Sequence, residues 1–157
     1  MINAFIQSMG LNSLDVQTVK MMNPLKLAYL GDAVYEVYIR AYLVNEVVLT
    51  PHEMTRRAVK YVKASYQSKF VNGIKEFLTE DEWTLVKRGR NQKSNTVPKN
   101  ASITDYRYAT GLETLIGYLF LVGETDRLNE IVKQGILYLE GSLDNTESVE
   151  AIIDEND

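Results

Sequence analysis

Apolar residues along the chain fall into stretches with helical spacing, separated by polar capping residues and glycines. Two of these stretches are the most apolar. Residues 25–44 are apolar on almost every side, which is typical of a helix at the centre of a domain, and residues 104–122 are mostly apolar after Tyr108. The first begins at Asn23, a good N-cap, and Pro24 suits the first helical position. Gly123 ends the second. The pattern therefore predicts that residues 25–44 form the central helix and that residues 104–122 form a second, mostly apolar helix.

Shorter stretches predict the helices around them. The apolar positions before residue 23 suit one or two small helices. Capping boxes begin at Thr50 and Thr79, and the helix after Thr50 is expected to continue to about residue 71. Thr125 is expected to cap a last amphipathic helix that ends near Leu139. The predicted fold class is all-α.

Composition adds few constraints of its own. A chain of 157 residues is long enough for one core, which we place at residues 1–140, with 141–157 as an acidic and flexible tail. There is no cysteine, so disulfides and thiolate chemistry are excluded. Neither a signal sequence nor a membrane span is evident, so the expected location is the cytoplasm, with no membrane partner.

Charge is distributed unevenly along the chain. The net charge is −4, yet residues 56–107 hold twelve of the seventeen basic residues against five acids. From Glu140 onward there are seven acids and no base. Residues 87–100 contain no acid and are interpreted as a loop whose cationic and amide donors suit phosphates and sugar hydroxyls. A basic middle of this kind favours a polyanionic partner.

Three polar residues interrupt the first central helix. Asp32, Glu36 and Arg40 are four residues apart and share one narrow face. A carboxylate in an apolar helix is costly to bury unless a cation, a hydrogen-bond network or water meets it. In one interpretation Asp32 and Glu36 pair with Arg40 or a distant base. In the other, Asp32 is a metal ligand or catalytic acid, and Gly31 beside it admits a close approach.

Glu113 is a second acid within an apolar helix, far from Asp32 in sequence. Helices this apolar are expected to be neighbours in one core, so that their carboxylates converge on a divalent ion. Oxygen ligands favour Mg²⁺, with Mn²⁺ as a substitute, and few protein ligands leave positions for water and phosphate oxygens. With a basic segment nearby, the predicted substrate is nucleic acid.

Several short motifs resemble those of the ribonuclease III family, in the family's order. The family motifs are LGDAV at 30–34, KAS at 63–65 and ETLIG at 113–117. Further blocks resemble Mini-III, the short bacterial branch of that family: KRGRN at 87–91, KS at 93–94, PKN at 98–100 and YRY at 106–108. Their order and spacing match over residues 20–140.

This resemblance implies an all-α, ribonuclease III-like endonuclease domain that acts as a homodimer on double-stranded RNA. It implies that Asp32 holds Mg²⁺ and the attacking water, and that Glu113 is the second ligand, both being catalytic. For the Mini-III branch the implied substrate is 23S ribosomal RNA precursor, trimmed at its termini to leave 5′-phosphate and 3′-hydroxyl ends. Whether a ribosomal protein must shape this RNA stays open.

RNA contacts are expected from the basic and amide residues of these segments. They are Lys63, Arg88, Arg90, Asn91, Lys93, Lys99, Asn100 and Arg107.

The sequence departs from the larger family at two positions. Ala28 stands where that family has a glutamate, and Thr110 where it has an aspartate, so half of the usual carboxylates are missing. This departure favours one tightly held ion over two. It also supports an alternative hypothesis, a non-catalytic RNA-binding factor for ribosome assembly on the same fold. The apolar helices that carry Asp32 and Glu113 favour the enzyme, because buried carboxylates are costly to keep without a function.

Overall fold

The structure is a computed structural model and describes residues 3–12, 14–46, 48–93, 99 and 102–154, with side chains to residue 141. This part of the chain contains no β-strand, which confirms the all-α prediction. Its helices are α1 (Ala4–Ser8), α2 (Val16–Lys20), α3 (Pro24–Asn45), α4 (Pro51–Val62), α5 (Ala64–Gly73), a 3₁₀ helix (Lys75–Phe77), α6 (Glu80–Arg90), α7 (Ile103–Val122) and α8 (Thr125–Asp154). None of these described helices is both long and apolar enough to cross a membrane.

Helix α7 forms the centre of the fold, and α2, α3, α5, α6 and α8 all contact it. Leu112, Leu115 and Ile116 on α7 are completely buried. Burying one side chain of this size contributes roughly 1.5–3 kcal/mol. The predicted helix at residues 104–122 is therefore present, and it takes the central position that the sequence analysis gives to residues 25–44.

Helix α3 is central on one face only. Leu27, Ile39 and other apolar residues of that face are buried against α7 and its neighbours. On the opposite face, Tyr29, Val37 and Val44 are exposed by 86%, 67% and 70%. The sequence predicts burial on almost every side, and the structure corrects this: within one chain, α3 retains an uncovered apolar face.

Four predicted caps form as expected, whereas Thr125, which is expected to cap the last helix, is instead its first residue. Asn23 accepts a hydrogen bond from the backbone N–H of Leu25 at 2.9 Å, with Pro24 following it. Thr50 and Thr79 each form a complete capping box with the glutamate three residues later. Gly123 ends α7 in the left-handed region at φ 77°, a conformation that glycine adopts without steric cost.

Two helix boundaries differ from the predictions. The helix after Thr50 does not continue to residue 71, because the backbone at Lys63 is extended (φ −63°, ψ 143°) and separates α4 from α5. This break lets α4 pack on α3 while α5 packs on α7 and α8. Helix α8 continues past Gly141 to Asp154, into the segment expected to be a tail. The flexibility expected there stays a prediction.

Glu140, near the end of the described side chains, joins three helices. Its carboxylate accepts hydrogen bonds from the Tyr42 hydroxyl of α3 and the Arg57 guanidinium of α4, each at 3.2 Å, and from the Tyr61 hydroxyl. A charge-assisted hydrogen bond contributes more than a neutral one, about 1.5–3 kcal/mol. The cluster therefore attaches α4 to both α3 and α8.

Helices α3 and α7 cross in direct backbone contact. A Cβ atom at Gly31 would lie 1.7 Å from the carbonyl oxygen of Glu113, and one at Gly117 would lie 2.0 Å from the carbonyl oxygen of Leu27. Contacts this short are sterically impossible, so glycine is required on both helices at this crossing. The position before Asp32 is therefore fixed against the backbone of Glu113.

Gly31→Ala is expected to lower the free energy of unfolding by about 3 kcal/mol, because the methyl group must push two backbones apart. Gly141→Ala is the matched control, since a Cβ at that helical position meets nothing within 4 Å. The control is expected to stabilise the protein by about 0.5–1 kcal/mol. Urea denaturation measures both changes. A Gly31→Ala protein as stable as the wild type would show that the helices do not need this close contact.

Candidate active site

The crossing of α3 and α7 brings Asp32 and Glu113 into one site. Asp32 follows Gly31 directly and lies on the exposed side of α3, whereas Glu113 is half-buried on α7. The two carboxylates are close enough for the charge of Asp32 to affect the ionisation of Glu113. The expected convergence of these two residues is therefore present, while their roles as catalytic residues and metal ligands stay predictions.

The pKa values of both acids are raised. Burial, followed by the negative charge of Asp32, raises the pKa of Glu113 to about 8, although a hydrogen bond from Gln67 acts in the opposite direction. Burial and the charge of Glu36 raise the pKa of Asp32. The carboxylates therefore repel one another in an environment that already disfavours charge.

Asp32 and Glu113 have no cationic partner in the part of the chain that the structure describes. Within the described side chains, no ion pair involves Asp32 or Glu113. Glu36 instead pairs with Arg40 at 2.7 Å, one helical turn away. The interpretation in which an acid of α3 pairs with Arg40 thus applies to Glu36. This pairing leaves the charge of Asp32 uncompensated.

Two further residues lie near Glu113. Gln67 of α5 is buried to 2% exposure and forms a hydrogen bond with the Glu113 carboxylate. Tyr35 of α3 is fully buried and donates its hydroxyl to the carbonyl oxygen of Tyr61 at 2.8 Å. Burial, and then the charge of Glu113, raises the pKa of Tyr35, so its phenol stays protonated. The sequence analysis missed both residues, since a glutamine or tyrosine on a helix carries no local signal of such a contact.

The donor set fits a small, hard cation. Among the described residues, no group of three or more His, Cys, Asp and Glu side chains could hold a metal ion. Mg²⁺, however, is commonly bound through one or two carboxylates, with water and substrate phosphates completing its ligands. Two oxygen donors with raised pKa values and no cationic partner match that pattern.

Comparison with known proteins decides the family. Residues 25–124 match the family model of the Ribonuclease III domain. This chain belongs to the ribonuclease III family.

Members of the Mini-III branch are similar over most of their length. Mini-ribonuclease 3 of Clostridium tetani is 51% identical over 134 residues, covering 84% of this chain and 89% of the relative. Mini-ribonuclease 3 of Enterococcus faecalis is 48% identical over 115 residues, covering 72% and 87%. The crystal structure of a Fusobacterium nucleatum protein is 29% identical, with a TM-score of 0.67, covering 78% of this chain and 95% of that one. The resemblance to Mini-III is confirmed.

The two departures from the larger ribonuclease III family lie beside this site. Ala28 is buried on the inner face of α3. The hydroxyl of Thr110 on α7 donates to the carbonyl oxygen of Tyr106 at 3.1 Å. Neither position supplies a carboxylate, so the acids available to a metal ion here are Asp32, Glu113 and the more distant, paired Glu36.

The expected RNA-binding residues have different environments. Lys63, Asn91, Lys93, Lys99 and Arg107 are exposed, as a contact with RNA requires. Asn100 lies outside the described residues.

Arg88 has structural contacts of its own. Its guanidinium donates to the carbonyl oxygens of Lys20 at 2.5 Å and Met22 at 3.3 Å, which lie at the end of α2. These contacts join α6 to α2. An RNA contact by Arg88 stays a prediction, and it would have to coexist with this role.

The segment around Arg88 is also less loop-like than expected. Helix α6 extends to Arg90, so Lys87, Arg88 and Arg90 lie in its last turn. Burial of Val86 and Gly89 against α7 keeps this turn helical, and cations there interact favourably with the helix dipole.

A pH dependence of stability is expected from Glu113. The pKa of this carboxyl in the folded protein, about 8, lies above its ordinary value of 4.5, so the folded protein binds the proton more tightly than the unfolded chain does. The resulting stabilisation is complete below pH 4.5 and is lost as the pH rises through 8. Glu113→Gln removes this titration. Its stability relative to the wild type should therefore increase between pH 5.5 and pH 8.5 when no divalent cation is present.

Urea denaturation at the two pH values measures this difference. Glu76→Gln, which alters an exposed glutamate of the 3₁₀ helix, is the matched control for removal of one carboxylate. A stability difference between Glu113→Gln and the wild type that is equal at both pH values would contradict the raised pKa.

Proposed function

We propose that this protein is a Mg²⁺-dependent endoribonuclease that hydrolyses double-stranded RNA. One observation carries the proposal: Asp32 and Glu113 share a site at the α3–α7 crossing and have no cationic partner within the described residues. Membership of the ribonuclease III family and the name of the Mini-ribonuclease 3 relatives support the same reaction class.

In the proposed enzyme, Asp32 and Glu113 hold one Mg²⁺. When bound, this ion lowers the pKa of water and offsets negative charge on the phosphate group. A single ion is preferred because Ala28 and Thr110 supply no further carboxylates. Mn²⁺ has the same preference for oxygen ligands and is expected to substitute.

The chain's own residues position the reacting groups. Gln67 is buried near the Glu113 carboxylate, and its interaction with that carboxylate favours the charged form. Asp32 is exposed and is the acid best placed to contact an attacking water. The water oxygen forms a bond to phosphorus as the bond to the 3′ oxygen breaks, and the leaving oxygen takes up a proton. The products are a 5′-phosphate and a 3′-hydroxyl.

The proposed natural substrate is the paired termini of 23S ribosomal RNA precursor, in the cytoplasm. This part of the proposal rests on the similarity of this chain to the Mini-III branch. A ribosomal protein that shapes the RNA belongs to the same proposal as a partner.

A homodimer is proposed from the uncovered face of α3. Tyr29, Val37 and Val44 on that face are exposed by at least 67% in the single chain, and a second copy would remove this apolar surface from water. The sequence also suggests surplus apolar surface at residues 112–120, but α7 buries its leucines within the chain. The contact between subunits is therefore assigned to α3.

The alternative function is a non-catalytic RNA-binding factor for ribosome assembly. The absence of acids at Ala28 and Thr110 favours it. The retained carboxylates of Asp32 and Glu113 favour the enzyme, because without a cation they destabilise the fold. The cleavage experiment below distinguishes the two.

Cleavage of a long, perfectly paired RNA is expected to require both acids. Asp32→Asn and Glu113→Gln should each lower the rate at least about a hundredfold, because each removes a charged metal ligand. Binding to the duplex should remain close to the wild-type level. EDTA should abolish cleavage by the wild type, and added Mg²⁺ should restore it.

The matched control is Asp126→Asn, which neutralises an exposed acid in the first turn of α8. It should cleave at the wild-type rate. Cleavage that survives both site substitutions would overturn the site. Binding by the wild type without cleavage, at every metal concentration, would favour the assembly factor.

Val37→Glu is expected to weaken the proposed dimer at least about a hundredfold, because it places an unpaired charge in the apolar contact. Val48→Glu is the matched control, since Val48 is 85% exposed just after the end of α3. Light scattering coupled to size-exclusion chromatography measures the mass of each variant over a range of concentrations. A wild-type protein that stays monomeric at high concentration would contradict the dimer.

A further inference from the structure

A small cleft lies between the end of α6 and the start of α7. Its volume is about 210 Å³, and its lining residues are Arg90, Asn91, Thr104, Arg107 and Tyr108. Every one of these side chains carries a hydrogen-bond donor, and two of them are guanidinium groups. Among the described residues no carboxylate lines the cleft, and Asp105 of the same helical turn is not part of its wall.

Arg90 is held in position by its neighbours. Its Nε donates to Asn91 Oδ1 at 3.1 Å and one terminal nitrogen donates to the Tyr108 hydroxyl at 3.3 Å, while the guanidinium lies 5.5 Å from the centre of the Tyr108 ring. A guanidinium has five N–H donors, so about three remain for a ligand. A fixed guanidinium loses little side-chain freedom when it binds.

An aromatic stack supports this arrangement. The rings of Tyr108 and Trp83 are stacked with an angle of 28° between their planes, and their centroids are 6.3 Å apart. Lys75 lies 5.0 Å from the Trp83 ring. Two cations thus flank a pair of stacked rings, which fixes Tyr108 and, through it, Arg90.

Arg107 supplies the second positive charge. Its side chain is exposed, and within the described residues it has no hydrogen bond or ion pair. Its charge therefore remains available to a ligand. Two guanidinium groups around a cleft without a carboxylate attract an anion, and their planar donor geometry matches phosphate.

We propose that this cleft binds a single phosphate group of the RNA backbone, held jointly by Arg90 and Arg107 and assisted by Asn91, Thr104 and Tyr108. The inference rests on the proposed function and deepens it. The cleft would differ from a diffuse basic surface because both arginines contact the same phosphate.

The position of the cleft suits a phosphate other than the one that is cleaved. Arg107 and Glu113 are six residues apart on α7, which corresponds to about 9 Å along the helix axis. The end of α6 lies beside the same part of α7, because a Cβ at Gly89 would lie 2.3 Å from the Thr114 hydroxyl. A phosphate in the cleft would therefore fix the register of the RNA at Asp32 and Glu113.

The first experiment measures duplex RNA binding in EDTA, where no cleavage occurs, over a range of salt concentrations. The variants are Arg90→Gln, Arg107→Gln and the double substitution, with Lys133→Gln on the exposed surface of α8 as the charge-matched control. The slope of log K against log salt counts the phosphates neutralised. Because both arginines share one phosphate, the double variant should lose about one unit of slope. A loss of about two units, or none, overturns the proposal, and the control should keep the wild-type slope.

The second experiment titrates the unmodified protein with inorganic phosphate and follows the arginine Nε–Hε signals by NMR. Arg90 and Arg107 should shift together with one dissociation constant, while Arg57, which binds Glu140, should not. Unchanged signals overturn the site. If phosphate shifts both signals but the variants bind RNA like the wild type, the cleft takes a phosphate from another source, and the RNA assignment is overturned.

These readouts separate the cleft from the proposed function. A wild-type protein that fails to bind duplex RNA contradicts the proposed function and the RNA assignment together, whereas the phosphate titration still shows whether the anion site exists. Wild-type binding and cleavage with an unaltered salt slope in the double variant contradict the cleft alone.

Discussion

Backbone contact between α3 and α7 determines where the two carboxylates of the site lie. Helices separated by side chains have axes about 8–10 Å apart, and glycine at Gly31 and Gly117 removes the side chains that would keep them there. The Thr114 hydroxyl donates to the carbonyl oxygen of Thr110 at 2.8 Å and also lies 3.3 Å from the carbonyl oxygen of Pro24, so α7 is in contact with the start of α3. Asp32 directly follows Gly31, and the backbone carbonyl of Glu113 on α7 is the group that Gly31 of α3 approaches. Their positions therefore depend on rigid backbone rather than on flexible side chains, as a site with few ligands requires.

The same contact has an electrostatic cost. It brings two like charges together in a partly desolvated place, and the pKa of Glu113 near 8 reflects this. Packing around α7 must offset the cost, since the described residues supply no cation. An isosteric amide at either position would avoid the repulsion without altering the packing, so the acids are not needed for the fold. This argument favours the enzyme over an assembly factor that keeps only the shape of the domain.

Local chemistry made much of the helical framework predictable. The caps at Asn23 and Thr79 depend on residues within one turn, so the sequence shows them directly. Asp32 could also be identified from the sequence, because a carboxylate in an apolar helix is uncommon and demands an explanation. The break at Lys63 could not be predicted, since it contains neither glycine nor proline. It arises because α4 and α5 pack on different neighbours. Gln67 was missed for the same reason, as its contact with the α7 carboxylate exists only once α5 is in place.

The basic segment shows why charge counts alone cannot assign a binding surface. Arg88, Arg90 and Arg107 carry the same charge but have different environments. Arg88 binds carbonyl oxygens at the end of α2, Arg90 is fixed against Tyr108, and Arg107 is exposed. Arg88 uses two of its donors to join α6 to α2, so an RNA contact would have to coexist with that structural role. Arg90 is oriented by its neighbours and has donors left for a ligand, and Arg107 makes no hydrogen bond or ion pair within the described residues. A fixed guanidinium provides specificity at low entropic cost, and an exposed one adds a second positive charge that attracts the phosphate. The pair together therefore suits a phosphate that must be both attracted and held in register.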